Sequence, residues 1–285
     1  MYFETTFSQR FNPNANSIIY HYCGDFVQNS ICENQEIWLS NIYAMNDSSE
    51  YEWGRQLFIK ALKENKGEFD EAFRIFIFSK VMLAVPNTLP LIACFSSHGD
   101  LLSQWRAYAD DGKGFSIGFD TNSIYEGLGV NLNSVVYDED KQYLLVLNTL
   151  KGLHALWKEN EENYDEIDEP SKIFSIDLAY FKNPTFFEEQ EIRIIRLLAK
   201  HEERFIDIGG NSEINSIRPL TVLSRSKDNN EIEYIKLPIK NNTKHIIKEM
   251  IIGPKNEKTV SEVQKYLNDL GLSGVLVKKS MSTYR

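Results

Sequence analysis

Cysteine is scarce: 3 residues among 285. Cys23, Cys32 and Cys94 are odd in number and have no metal-ligand spacing. They argue against a disulfide framework and fit a reducing, cytoplasmic setting. No apolar run reaches the roughly 18 residues a membrane-spanning helix needs. The opening residues, MYFETTFSQR, lack the basic-then-apolar order of a signal peptide, so neither a membrane span nor a secretory leader is expected. Basic residues are in deficit, 31 Lys and Arg against 41 Asp and Glu, a net charge of −10. That excludes non-specific nucleic-acid binding through a basic surface but not a local basic pocket. Common catalytic signatures are absent as well: no G-x-G-x-x-G, no G-K-[ST] phosphate loop, no H-E-x-x-H and no G-x-S-x-G. IIGPKNEK comes nearest to a phosphate loop, lacks the second glycine, and reads as a strand-to-helix turn.

What is present is an ordinary globular composition, 42% hydrophobic and 25% charged, in a chain long enough to bury its own core. At roughly 150 residues per domain the length allows one or two domains. With no repeat and no long linker, the reading is a single elaborated domain, 1–285, carrying a helical insertion at about 141–180.

Residues 18–22 and 36–39 are rich in β-branched and aromatic side chains and read as strands, with a helical turn or two between them. Ser49 and Glu52 form a capping-box pattern ahead of a helix whose apolar face is Trp53, Leu57, Phe58, Ala61 and Leu62. A second helix is expected at about 69–85. LIACFS at 91–96 reads as a buried strand, SQWRAYA as a short helix, and FSIGFD and SVVYD as strands. Residues 141–163 read as a long helix, and the acidic stretch 159–169 as a solvated loop. EIRIIRLLA reads as a strand with Ile192, Ile194 and Leu197 on one side. Residues 209–231 look like turn-rich edge hairpins. YIKLPI, HIIKEMIIG and GVLV read as further strands, with a helix capped by Thr259 and Glu262 and ending at Gly271 before the last of them. About eight strands and five or six helices without regular βαβ alternation predict an α+β fold with a mixed or antiparallel sheet.

Four polar clusters are candidates for function. In Tyr20-His21-Tyr22 the histidine either faces a cleft or is a half-buried strand residue bonded to backbone. In Ser40-Asn41 with Asn46-Asp47-Ser48-Ser49-Glu50, helix capping explains all but Glu50. Ser96-Ser97-His98-Gly99-Asp100 with Trp105, Arg106, Tyr108 and Lys113 is the densest. There, Trp105 and Tyr108 sit three apart on a helix and share a face, and the aromatic pair with hydroxyls and Lys113 suits a flat heterocycle or else packs in the core. In Glu188-Glu189-Gln190-Glu191-Ile192-Arg193, a strand would put Glu189, Glu191 and Arg193 on one face. Burying them unpaired is costly, so they are solvated or line a cleft; Phe186 and Phe187 upstream argue against open surface.

IIYHYC, IWLSNIYAMNDSSEYEWG, LIACFSSHGDLLSQWRAYADDGKGFSIGFD, FKNPTFFEEQEIR, EMIIGP and VLVKKSMSTYR together resemble the bacterial domain-of-unknown-function family 2971, a resemblance that runs from about residue 18 to the end and implies no activity. The order of a first-strand His, a middle hydroxyl and a late Glu-x-Glu also resembles the ADP-ribosyltransferase superfamily. That second resemblance implies a split sheet with flanking helices and NAD as substrate. His21 would orient the ribose, Glu191 would be the catalytic carboxylate and Glu189 its partner. Ser40 or Ser96 would be the middle residue, a choice left open. Tyr22, Tyr108 or Trp105 would stack on nicotinamide, Lys113 or Arg106 would meet the pyrophosphate, and Arg193 would keep Glu191 ionised. The acceptor would be a protein or nucleic acid, a regulatory protein partner is allowed, and the role by analogy is that of a toxin or phage-defence effector. Two other readings compete: a non-catalytic module binding a nucleotide or protein, and a metal-dependent hydrolase or nuclease using Asp47, Glu50, Glu189 and Glu191.

Overall fold

A computed structural model describes residues 4–8, 17–44, 48–83, 88–128, 130, 132–159, 164–201, 204–207, 221–227, 230–239 and 246–284. In chain order the strands and helices are β1 (Ile18–Cys23), α1 (Asp25–Asn34), β2 (Glu36–Asn41), α2 (Ser48–Glu64), α3 (Glu71–Met82), β3 (Thr88–Ser96), α4 (Leu102–Tyr108), β4 (Phe115–Asp120), α5 (Thr121–Leu128), β5 (Leu132–Ser134), α6 (Glu139–Glu159), α7 (Tyr164–Asp177), β6 (Glu191–His201), β7 (Arg204–Asp207), β8 (Leu223–Lys227), β9 (Asn230–Pro238), β10 (Ile247–Ile252), α8 (Val260–Asp269) and β11 (Leu276–Lys279). Short 3₁₀ turns at Leu178–Tyr180 and Pro184–Glu189 join α7 to β6.

The strands form one open sheet in the order β11-β10-β4-β1-β3-β2-β9-β8, with β6 also on β3 and β5 and β7 on β6. All strand pairs are antiparallel except β10–β11, so the sheet is mixed and the fold is α+β, with helices flanking the sheet. Alternation along the strands divides the side chains between two faces. Ile19, Cys23, Ile37, Leu39, Leu89, Leu91, Ala93, Phe95, Ile117, Ile192 and Ile194 meet residues from α1 and α8 in one core. On the opposite face Ile92, Ile195 and Leu197 pack with Ile176, Ala179 and Tyr180. Leu197 therefore faces away from Ile192 and Ile194, contrary to the sequence expectation: an odd separation along a strand crosses the pleat.

A separate apolar cluster joins α2, α3, α6 and α7 through Phe58, Phe73, Leu150, Trp157 and Phe174. The α6 face is legible in its spacing, since Leu145, Val146, Thr149, Leu150, Leu153 and Trp157 recur every three or four residues and are all buried. The acidic stretch does not stay a loop. Tyr164–Asp177 is helical despite an internal Pro170, because Ile167 and Phe174 are fully buried and Asp168 is held by both Lys80 and Lys172. SVVYD is not a strand either. The paired residues are Leu132–Ser134, and Val136 makes only a single bridge to Phe181. The segment after β1 forms a full ten-residue helix. β8 and β9 pair around Lys227↔Asn230 as the expected hairpin, while the rest of that stretch, 208–220, lies outside the described residues. Thr259 caps α8 with a complete capping box.

Candidate functional site: a cleft where the sheet splits

The cleft originates at β3. One edge of β3 is paired to β6 along its length, from Thr88↔Ala199 to Ser96↔Glu191. The other edge is shared: β2 takes it at Leu91 and Ile92, opposite Asn41 and Ser40, and β1 takes it at Ser96, opposite Tyr20. In an antiparallel ladder, alternate residues turn their backbone groups to the same edge. Ile92, Cys94 and Ser96 therefore face that edge together, and Cys94 falls where the sheet parts. The His21 ring closes the gap, with Nδ1 3.0 Å from the Cys94 carbonyl oxygen. A carbonyl only accepts, so Nδ1 carries the hydrogen, and in the neutral ring Nε2 is left as an acceptor. Burial pushes the His21 pKa down, against a smaller upward pull from the Cys94 bond.

A cleft of about 360 Å³ follows the split and takes its lining from both faces of the sheet: His21, Phe26, Val27 and Ile37 on the α1 side, and Tyr20, Trp38, Ser40, Cys94, Gln104, Tyr108, Lys182, Glu189 and Glu191 on the other. On the second side lies a cluster of four buried charges. Lys182, 2% exposed, is bonded to Glu189 and lies 3.2 Å from Oε2 of Glu191. Arg193 forks onto Glu191, with Nε 2.8 Å from Oε1 and Nη2 2.7 Å from Oε2, and a third bond runs from Nη1 to the Ala179 carbonyl. Burial alone would raise the Glu191 pKa. The Arg193 and Lys182 charges overcome it and hold the carboxyl at about 2. Two cations facing two anions make this a satisfied cluster rather than a stranded pair.

Glu189 and Glu191 do not share a strand face as the sequence suggests. Glu189 ends a 3₁₀ turn, and Gln190 adopts a left-handed φ of 47° before β6 begins at Glu191. The turn is secured from outside: the buried Ser96 hydroxyl donates to the Glu189 carbonyl at 2.8 Å, the Ser97 amide donates to the Gln190 carbonyl at 2.9 Å, and the Tyr137 hydroxyl accepts from the Glu191 amide at 3.0 Å. The two carboxylates then converge on one amine. The cluster is buried, as expected, although Phe186 and Phe187 are themselves exposed.

Of the residues singled out in the sequence, His21, Tyr22, Ser40, Tyr108, Glu189 and Glu191 line the cleft, and Arg193 stands directly behind Glu191. The rest lie elsewhere. Ser96 is buried under the 189–191 turn. Trp105 is fully buried against Tyr22, ring centroids 4.9 Å apart, and its indole donates to Asp100 at 2.6 Å. Tyr22 is a structural clamp, its hydroxyl donating to the His98 carbonyl and accepting from the Leu101 amide, both at 2.8 Å. Trp105 and Tyr108 thus separate: three residues on a helix leave about 60° between side chains, enough to send one into the sheet and the other to the cleft, 3.5 Å from Glu189. Arg106 and Lys113 are exposed and do not line the cleft, and Arg106 sits over the Tyr284 ring instead. The sequence reading missed Lys182, Trp38 and Arg225. Of the metal-reading residues, Asp47 and the Glu50 side chain lie outside the described residues, and Glu189 and Glu191 are both engaged by Lys182. Among the described residues no group of three or more His, Cys, Asp or Glu is arranged to hold a metal, and no helix is long and apolar enough to cross a membrane.

No curated protein and no solved structure matches the chain, and no comparison supports the ADP-ribosyltransferase resemblance. A family model described as "Protein of unknown function (DUF2971)" matches residues 104–194. That stretch carries Gln104, Tyr108, Lys182, Glu189, Glu191 and Arg193, so the chain is similar to this family through the segment that builds the carboxylate wall of its cleft.

Proposed function

We propose that the cleft binds NAD and cleaves its nicotinamide–ribose bond, as an ADP-ribosyltransferase does. The observation that carries this reading is that a buried, ionised carboxylate, Glu191, and a neutral histidine, His21, line the same cleft from the two faces of the split sheet. Breaking the bond from ribose C1′ to the nicotinamide nitrogen sends the electron pair to nicotinamide and leaves an oxocarbenium-like sugar, as in glycoside cleavage. A carboxylate beside the ribose 2′-hydroxyl stabilises that charge more than it stabilises the ground state. In this reading Glu191 is that carboxylate, and His21 accepts from the ribose through Nε2. Glu189 takes the proton of the attacking hydroxyl as its oxygen bonds to C1′, and Tyr108 covers the nicotinamide. By analogy the acceptor is a protein or nucleic acid and the role that of a toxin or phage-defence effector.

A second reading, a nucleotide-binding module without turnover, is favoured by the completeness of the Glu191 pairing, which leaves its carboxylate little spare bonding capacity. The deciding experiment is nicotinamide release from NAD in chelator, with and without candidate acceptors, for the native chain, Glu191→Gln and Glu189→Gln. The expected result is release that continues in chelator and falls about 10²–10³-fold in Glu191→Gln, at unchanged NAD affinity. NAD binding without release under every condition would leave the binding module. Release that chelator abolishes would revive the metal reading.

A further inference from the structure

Arg225 of β8 reaches the cleft mouth and is exposed. Its guanidinium donates from Nη2 to the Ser40 hydroxyl at 3.1 Å. Its plane lies over two rings that are themselves stacked, 5.5 Å from Trp38 and 5.8 Å from Tyr234, with the ring centroids 4.5 Å apart. One hydrogen bond and an aromatic seat fix the fork but use only one of five N–H donors. Among the described residues no carboxylate meets it. Strand alternation sends Glu231 and Glu233 of β9 to the opposite face from Ile232 and Tyr234, and Glu233 is 3.2 Å from the Asn41 amide instead.

The charges of the cleft point the same way. Its three lining carboxylates are each matched in place: Glu36 by Lys236 at 3.0 Å, Glu189 by Lys182, and Glu191 by Arg193 and Lys182. Of the cations that line the cleft, Lys182 is bound to Glu189 and Glu191, and Arg225 meets no carboxylate among the described residues. In a chain of net charge −10, a cation without a carboxylate partner stands where a ligand would enter. A planar fork is the geometry that grips phosphate through two parallel hydrogen bonds.

We infer that Arg225, seated on Trp38 and tied to Ser40, is a phosphate-binding group, and that the cleft recognises nucleotides through their phosphates at this mouth. The subsite replaces Arg106 and Lys113 as the partner of a pyrophosphate. It extends the NAD reading by naming what holds the phosphate half of the ligand, yet it holds for any phosphorylated nucleoside whether or not a bond is cleaved.

The test is calorimetric titration of the full chain with ADP, adenosine and inorganic pyrophosphate, using the native protein, Arg225→Ala and Arg225→Lys, with the thermal midpoint of each variant as the check on folding. ADP should bind at least about tenfold tighter than adenosine. Arg225→Ala should weaken ADP by about 10–100-fold while leaving adenosine unchanged. Arg225→Lys should fall between, keeping the charge and losing the fork. Equal affinity for ADP and adenosine, no saturable ADP binding, or ADP binding indifferent to Arg225→Ala would each overturn the subsite. Arg225-dependent ADP binding without nicotinamide release from NAD would uphold the subsite and overturn the cleavage reading; release without Arg225 dependence would do the reverse.

Discussion

The Lys182 amine bridges the two buried carboxylates of Glu189 and Glu191. Lys182→Met should cost about 3–5 kcal/mol of stability at pH 7, the range for removing one partner of a buried pair. The deficit should shrink near pH 5, where one carboxylate can take up a proton; denaturant unfolding at the two pH values measures both. Two buried residues of the cleft contribute to acid sensitivity. Glu191 is held at about 2 against an ordinary 4.5, so its contribution is whole above pH 4.5 and is lost as pH falls toward 2. His21 is depressed below its ordinary 6.5. The unfolded chain therefore takes up this proton first, and stability falls as pH drops below 6.5. His21→Asn, which retains a donor for the Cys94 carbonyl, should flatten the thermal midpoint between pH 7 and 5 and leave the lower limb intact. His21 was legible in the sequence because a histidine among tyrosines in a short strand has few places to point. Lys182 was not: it is a lone lysine in irregular chain, and its partners converge only because Gln190 turns left-handed.

At the scale of elements, α4 is held by what lies beside it. Asp100 accepts from the Trp105 indole and also from the Ser280 hydroxyl and the Met281 amide at 2.7 Å. Tyr284 bonds to Asp111 at 2.6 Å and lies beneath Lys255, 3.8 Å from the ring centroid. Residues 280–284 thus fasten down the helix that carries Tyr108. Asp100→Ala strands a buried indole N–H, at a cost of about 1–3 kcal/mol, and should speed amide exchange in both α4 and 281–284. Exchange confined to one of them would show that the tail does not hold the helix. Capping is simpler: Thr259→Ala should lower stability by about 1 kcal/mol, read as a shifted denaturant midpoint with unchanged slope. That cap was written in the sequence as T-x-x-E. The divergence of Trp105 from Tyr108 was not, because the direction of each ring depends on Tyr22 and Asp100, one of them far away in the chain.

For the whole molecule, a buried glutamine helps tie the helical layer to the cleft. Gln142 of α6 is fully buried; its amide donates to the carbonyls of Val136 at 2.6 Å and Lys182 at 2.8 Å, and its oxygen accepts from Trp53 of α2 at 3.0 Å. The helices at 141–180 thereby deliver Lys182 to the site. Gln142→Leu should destabilise the chain by about 2–4 kcal/mol, from several buried groups left unpaired. It should also loosen residues 178–183, visible as faster exchange there; loss of stability without that loosening would mean the helices do not position the lysine. Fold class was readable from strand count and missing βαβ rhythm. Pairing order was not, since β2 meets β9 from about 200 residues away.

That last pairing bears on how the protein comes into being. On one edge β2 meets β3 at Ser40 and Asn41 alone, and on the other Glu36–Ser40 pair with Tyr234–Pro238, so the wall bearing Trp38 and Ser40 stays open on that second edge until the ribosome has made β9. Contacts so distant in sequence close slowly, and a nascent chain folds from its N-terminal end. His21 and Glu191 are both translated well before that wall can stand. A chain interrupted after Glu191 but before β9 holds its carboxylates and histidine without the second wall of the cleft, so the cleft is completed late.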